Sequence, residues 1–143
     1  MESKNIMEYE TVSLDSENSA LVIIDQTLLP GKIEMLSLTG QKEIRHAIYS
    51  LQVRGAPAIG VAAAIGVYLA AKEIAETAGI GEDDFDGFYA RFKSAKEHLA
   101  SARPTAVNLF WALDRMEKVV LDNSKEPVSR IITLLRGEAE AII

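Results

Sequence analysis

Two short stretches of this sequence place an arginine directly before the start of a predicted helix. They are Val53-Arg-Gly-Ala-Pro-Ala-Ile-Gly60 and Ala102-Arg-Pro-Thr-Ala-Val-Asn108. In the first, Gly55 lets the backbone approach a ligand, and the following helix presents unpaired N–H groups and the positive end of its dipole. Arg54 adds a forked cation whose geometry suits phosphate oxygens. These features are those of an anion-binding turn.

Each stretch taken alone is also typical of an ordinary tight turn with an exposed arginine, because such turns are common between helices. The same arrangement occurs twice in one small domain, and this repetition favours a shared role. We therefore expect Arg54 and Arg103, each beside a helix N-terminus, to converge on a single phosphate ester.

Other familiar catalytic and metal-binding patterns are missing. The chain has no cysteine, so it has no disulfide, no thiol nucleophile and no cysteine metal ligand. Pro30-Gly31-Lys32 lacks the upstream glycine and the Ser/Thr of a phosphate-binding P-loop. His46 and His98 fall on different predicted helices, and Glu82–Asp86 lacks the ligand spacing of a calcium loop. We expect no metal site, and we interpret Glu82–Asp86 as a solvated lead-in to a helix.

Length and composition indicate a soluble globular protein. The 143 residues are 48% hydrophobic and 25% charged, and the net charge is −6. An acidic chain argues against general nucleic-acid binding, which needs a basic surface. The polar start contains no signal-peptide core, and the uncharged run Gly55–Ala71 is short for a bilayer span. We expect a cytoplasmic protein with neither a nucleic-acid nor a membrane partner.

The first forty residues predict three short strands. Residues that favour β-structure occur in Ile6–Leu14, Ala20–Ile24 and Ile33–Leu38, and Pro30-Gly31 marks a turn. Three consecutive strands favour an antiparallel meander over a βαβ unit.

After Gly40 the period of the apolar residues changes from two to 3.6, which predicts helices. A second helix starting at Pro57 is apolar all round, so it should be central and buried. The other four helices are expected to begin after a Thr39 cap, near Phe85, after a Thr105 cap, and at Glu126-Pro127.

The predicted fold class is α+β, with a small three-stranded antiparallel sheet followed by a bundle of about five helices. The fifth helix has no clear end, because helix-compatible residues continue past Gly137 to Ile143. We therefore expect residues 1–143 to be one domain of a longer protein, cut within a helix.

Three motifs in fixed order resemble a known family. They are Asp25-Gln-Thr-Leu-Leu-Pro30, the R-G-A-P-A-I-G turn and the R-P-T-A-V-N stretch. Together they resemble the N-terminal domain of methylthioribose-1-phosphate isomerase, from about residue 6 onward. That superfamily also contains archaeal ribose-1,5-bisphosphate isomerase and regulatory subunits of the guanine-nucleotide exchange factor of translation initiation.

The resemblance implies an aldose–ketose isomerase of methionine salvage that needs no cofactor. Its substrate would be 5-methylthioribose 1-phosphate and its product 5-methylthioribulose 1-phosphate. A small N-terminal domain would precede a larger Rossmann-like domain in a homodimer. By motif, Arg54, Gly55 and Ala56 would bind the substrate, and Arg103 would bind its phosphate or sugar.

The same resemblance limits what this chain can do. The family's catalytic cysteine and aspartate lie in the second domain, so neither position exists here, and Asp25 is assigned no catalytic role. We expect these residues alone to be inactive and to depend on their own C-terminal domain. Two alternatives stay open: a ribose-1,5-bisphosphate isomerase, and a non-catalytic regulatory subunit related to translation initiation factor 2B.

Overall fold

The computed structural model describes residues 12–28, 31–50, 56–77 and 79–142. Within them the chain forms three strands and then five α-helices, with a short 3-10 turn at Gln26–Leu28. The elements are β1 (Val12–Asp15), β2 (Ala20–Ile24), β3 (Met35–Leu38), α1 (Gln41–Tyr49), α2 (Ala56–Thr77), α3 (Phe85–Ala100), α4 (Val107–Asp122) and α5 (Val128–Ile142). This order confirms the predicted α+β class.

The strands form the expected antiparallel meander, in the order β1-β2-β3. Ile23 pairs with Val12 on one side and Leu36 on the other, and Leu21 likewise pairs with Leu14 and Leu38. Cross-strand partners share a face of the sheet, and all six of these side chains join the hydrophobic core. The period of two therefore turns one face of the sheet toward the helices.

Two strand boundaries differ from the prediction. β1 continues to Asp15, one residue past the predicted end, and residues 6–11 of the predicted strand lie outside the described residues. β3 begins at Met35 rather than Ile33. The chain is still turning at Lys32, whose N–H donates to the carbonyl of Leu28 at 3.0 Å.

Helix α2 is the centre of the fold, as its all-round apolar sequence predicted. Every residue from Ala62 to Ala71 is buried, and α2 packs against β1, β2 and the other four helices. By length and composition Pro57–Thr77 could cross a membrane, yet 67% of its most apolar window is buried inside the protein. We interpret α2 as the core helix of a globular domain.

Gly66 explains how the helices come close to α2 near its middle. A Cβ at this position would lie 3.0 Å from Cγ2 of Ile44 in α1 and 3.3 Å from Cδ1 of Leu99 in α3. Glycine is a poor helix former, so its place in α2 follows from this close packing.

The directions of the helices bring α2 and α4 to the same end of the bundle. α3 runs antiparallel to α2, because its late residue Leu99 lies against Gly66, whereas its early residue Gly87 borders the same groove as Thr77. α4 runs back along α3, and Lys96 bonds Asp114 at 2.7 Å between them. The N-termini of α2 and α4 therefore lie at one end, next to the loop 101–106.

Both predicted threonine caps are wrong. α1 begins at Gln41 and α4 at Val107, so the N-cap positions are Gly40 and Ala106, and neither makes a side-chain cap hydrogen bond. Thr39 and Thr105 each lie one residue too early, because the cap must directly precede the first helical residue.

The acidic stretch before α3 supplies two helix starts. Asp84 caps α3, and its Oδ1 accepts a hydrogen bond from the N–H of Gly87 at 2.9 Å. Glu82 serves α5 from a distance: its carbonyl accepts from Val128 N–H at 3.0 Å and its Oε1 from Ser129 N–H at 3.1 Å. The solvated lead-in expected here thus also fixes the start of α5 against that of α3.

Candidate functional site

The two arginine motifs meet through their last residues, where the first turns of α2 and α4 pack together. A Cβ at Gly60 would lie 3.3 Å from the carbonyl oxygen of Asn108 and 3.7 Å from Cβ of Ala112. Glycine permits this approach because it adds no side chain between the helices. Two helix N-termini, each with unpaired N–H groups and a positive dipole end, therefore lie side by side.

The predicted site residues fall at this end of the bundle as far as the structure describes them. Arg54 and Gly55 lie outside the described residues, and Ala56 is the first residue of α2. Arg103 lies in the loop before α4, half-buried, and its carbonyl accepts from Ala106 N–H at 3.0 Å. In the part of the chain that the structure covers, no hydrogen bond or ion pair engages its guanidinium. That cation is available to an anion.

A pocket of about 310 Å³ opens beside these helix starts, between α2, α4 and the end of α5. This α2–α4–α5 pocket is lined by Pro57, Gly60, Val61, Asn108, Trp111, Arg115, Ala141 and Ile142. Its volume is at the small end of the range for ligand sites. Most of its lining is apolar, and Asn108 and Arg115 supply polar groups.

Trp111 forms one wall of the pocket, and Arg115 holds it there. The indole is 53% exposed, which is unusual for so large an apolar side chain. The guanidinium carbon of Arg115 lies 5.4 Å from the centroid of the ring, within cation–π distance. Arg115 in turn donates from Nε to Glu138 of α5. The three side chains form one connected network across α4 and α5, and two of them, Trp111 and Arg115, line the pocket.

Sequence reasoning missed the residues of α4 that line the pocket. Asn108, Trp111 and Arg115 are spaced three and four residues apart, so they share one face of α4. That face is distinct from the apolar face that enters the core through Leu109 and Leu113. The signal available in the sequence was Trp111, an aromatic residue that does not lie on the core face of its helix.

Asp25, the first residue of the motif Asp25–Pro30, makes hydrogen bonds that hold the backbone after β2. Its side chain is 6% exposed, and Oδ1 accepts from the N–H and Oγ1 of Thr27 at 3.0 and 2.6 Å. Its own N–H donates to the carbonyl of Glu34 at 2.8 Å. These bonds are those of an Asx turn, and they fix the chain as it leaves β2.

The histidines lie on different helices, as their sequence positions predicted. His46 is exposed on α1, and His98 is half-buried on α3. Burial, and then the cations Arg45 and Lys42, lower the pKa of His98 below its usual 6.5. Within the described ranges, no group of three or more histidine or acidic side chains is arranged to hold a metal ion.

Comparison with known proteins shows the family to which the chain belongs. Residues 52–143 match the Initiation factor 2 subunit family. The chain belongs to that family. Both arginine motifs and all the residues of the α2–α4–α5 pocket lie inside the matched region.

Two curated members of related sequence are sugar-phosphate isomerases by name. The methylthioribose-1-phosphate isomerase of Symbiobacterium thermophilum is 55% identical over 93% of this chain and 35% of its own length. The 5-deoxyribose 1-phosphate isomerase of Bacillus cereus is 44% identical over 95% of this chain and 38% of its own length. The chain thus spans little more than a third of these relatives.

Two solved structures share the fold. The 5-methylthioribose 1-phosphate isomerase of Pyrococcus horikoshii OT3 superposes with a TM-score of 0.82 at 39% identity, over 92% of this chain and 35% of that one. Translation initiation factor eIF-2B subunit delta of A. fulgidus gives 0.79 at 37% identity, over 94% and 36%. The remaining two thirds of both structures, where the resemblance puts a Rossmann-like domain, have no counterpart in these 143 residues.

Proposed function

We propose that residues 1–143 are the N-terminal, substrate-binding domain of an isomerase that converts 5-methylthioribose 1-phosphate to 5-methylthioribulose 1-phosphate in methionine salvage. The observation that carries the proposal is the contact between Gly60 and Asn108, which sets two helix N-termini side by side. Paired N-termini with an unpaired arginine beside them suit a phosphate ester. The identity of 55% to a relative of that name supplies the substrate.

In this proposal the phosphate lies against the first turns of α2 and α4. Arg54 and Gly55, which precede α2 in sequence, and Ala56, its first residue, contact it, and Arg103 contacts phosphate or sugar from the loop before α4. Among the residues that the structure describes, the guanidinium of Arg103 has no hydrogen-bond or ion-pair partner, which supports its role.

The chemistry explains why binding and catalysis divide between two domains. A 1-phosphate blocks the anomeric hydroxyl, so the ring cannot open by simple tautomerism. The enzyme must protonate the ring oxygen and move a hydrogen between C1 and C2 away from water. The chain has no cysteine, and the described residues that line the α2–α4–α5 pocket include no acidic side chain. Holding the substrate here is useful because a partner domain then supplies the reacting groups.

The proposal is tested by turnover. The complete protein to which this sequence belongs should convert 5-methylthioribose 1-phosphate, and the 143-residue chain alone should not. Product formation by the isolated chain would contradict the division of labour. Absence of turnover by the complete protein would contradict the isomerase assignment itself. Size measurement of the complete protein tests the homodimer, and cell fractionation tests the cytoplasmic location.

One observation favours a second candidate, a regulatory subunit of translation initiation. The structure from A. fulgidus superposes almost as well as the isomerase does, so the fold does not separate the two functions. A regulatory subunit needs no bound sugar to react. Binding of the complete protein to other initiation-factor subunits, without isomerase turnover, would support this candidate.

A further inference from the structure

We propose that the α2–α4–α5 pocket receives the apolar substituent at C5 of the sugar phosphate, and that Trp111 sets the preference for it. This inference rests on the proposed function. It adds a subsite and a specificity-determining residue that the arginine motifs do not contain.

The position of the pocket supports this assignment. Its lining begins at Pro57, the second residue of α2, and includes Gly60 and Asn108, where the two helix starts touch. A sugar whose 1-phosphate contacts the first turn of α2 therefore lies at the edge of the pocket. The end of the sugar opposite the phosphate, C5, can enter it.

The lining suits a methylthio or methyl group better than a hydroxyl. Val61, Trp111 and Ile142 present apolar surface from three different helices. Aromatic rings make favourable contacts with thioether sulfur. Of the two polar side chains, Arg115 is already paired with Glu138 and lies over the indole. A hydroxyl placed against Val61, Ile142 and the face of the indole would lose water without gaining a hydrogen bond from those three surfaces.

The wall is fixed before any ligand arrives. The indole of Trp111 packs under the guanidinium of Arg115 at 5.4 Å, and Glu138 anchors that guanidinium from α5. A ring that is already held loses little conformational freedom on binding.

The test compares three sugar 1-phosphates that differ only at C5: 5-methylthioribose, 5-deoxyribose and ribose. In the complete protein, Trp111→Ala should lower kcat/KM for the methylthio sugar by about 10- to 100-fold. The loss should be smaller for 5-deoxyribose 1-phosphate and about 3-fold or less for ribose 1-phosphate. Where turnover is too slow, inhibition constants replace kcat/KM.

Two further variants guard against a change of fold. Val61→Thr keeps the shape of the side chain and adds a hydroxyl to the pocket, so it should weaken the same preference. Leu121→Ala removes an equally accessible apolar side chain, 45% exposed, from the far end of α4, and should leave the preference unchanged.

The outcomes separate the two proposals. Equal losses for all three sugars in Trp111→Ala and Val61→Thr, or no loss in either, would overturn the subsite while the isomerase stands. Absence of turnover or binding of any of the three by the unaltered complete protein would overturn the proposed function and the subsite with it.

Discussion

Replacement of Gly60 by alanine probes the contact on which the candidate site depends. The new Cβ would lie 3.3 Å from the carbonyl oxygen of Asn108, 3.7 Å from Cβ of Ala112 and 3.9 Å from Cβ of Asn108. The closest atom belongs to the backbone of the first turn of α4, so it cannot rotate away as a side chain would. The two helices must separate by a few tenths of an ångström.

Two opposing effects decide the sign of the change in stability. Alanine is a better helix former than glycine by about 1 kcal/mol, and overpacking a fitted contact costs about 1–3 kcal/mol. We expect the packing cost to prevail, with a net loss of up to roughly 2 kcal/mol in the free energy of unfolding. Gly137 in α5 is the matched control, because a Cβ there meets nothing within 4 Å. Gly137→Ala should raise the free energy of unfolding by about 0.5–1 kcal/mol.

Urea-induced unfolding followed by circular dichroism measures both variants under the same conditions. The two alanine substitutions should change the urea midpoint in opposite directions with similar m-values. In the complete protein, Gly60→Ala should also raise KM for the sugar phosphate, since it moves the start of α4 away from that of α2. A Gly60→Ala protein as stabilised as Gly137→Ala would refute the close approach and remove the main support for a shared site.

Three other changes test the site and its scaffold. Arg54→Ala should cost ~1.5–3 kcal/mol of binding free energy, seen as a roughly 10- to 150-fold rise in KM. The exposed Arg130 at the start of α5 is the control, and its replacement by alanine should leave KM unchanged. An unchanged KM in Arg54→Ala would remove Arg54 from the site. Lys96→Met should lower the free energy of unfolding by about 1–3 kcal/mol in urea, because Lys96 bonds Glu117 at 2.8 Å and both side chains are less than a fifth exposed. A loss well below this would show that the pair contributes little. The pKa of His98 is lowered in the fold, so the folded state binds fewer protons than the unfolded state and stability should fall as pH drops through 6.5. His98→Gln should show a smaller fall in urea midpoint than the unaltered protein between about pH 7.5 and about pH 5.5.

The elements that sequence predicts well are those whose local pattern and tertiary role agree. α2 is apolar on every side, and such a helix is stable in water only when it is surrounded. Its start at Ala56 is one residue from the predicted Pro57. α5 likewise continues through Gly137 to Ile142, as the helix-compatible residues indicated.

The misplaced caps show where local signals fail. Threonine is a frequent N-cap, and both Thr39 and Thr105 precede apolar-periodic residues. In the loop before α4, however, Ala106 N–H donates to the carbonyl of Arg103 at 3.0 Å. That turn includes Thr105, so the helix starts at Val107, one residue later than a Thr105 cap would place it. Hydrogen bonds of this kind depend on the path of the chain and leave no mark in residue type.

The candidate site likewise has one part that sequence predicts and another that depends on how the helices pack. The arginine motifs are contiguous in sequence, so residue type and spacing suffice to single out Arg54 and Arg103 as candidates. The pocket beside them joins Val61, Trp111 and Ile142, which come from three helices. Their meeting depends on how α5 packs against α2 and α4, which helix periodicity alone does not determine. The roles of Arg54, Gly55, Ala56 and Arg103 in substrate binding stay predictions.

Because α2 is both the central helix and the one whose first turn faces the candidate site, the same backbone serves core and ligand. The turn of α2 at Gly60 continues without a break into Ala62–Ala71, which is buried throughout. A ligand bound there meets N–H groups whose orientation was fixed when the protein folded, so binding carries little ordering entropy. Substitutions in the middle of α2 that contact no ligand, such as those that enlarge Gly66, should therefore be felt at the site as small displacements of its first turn.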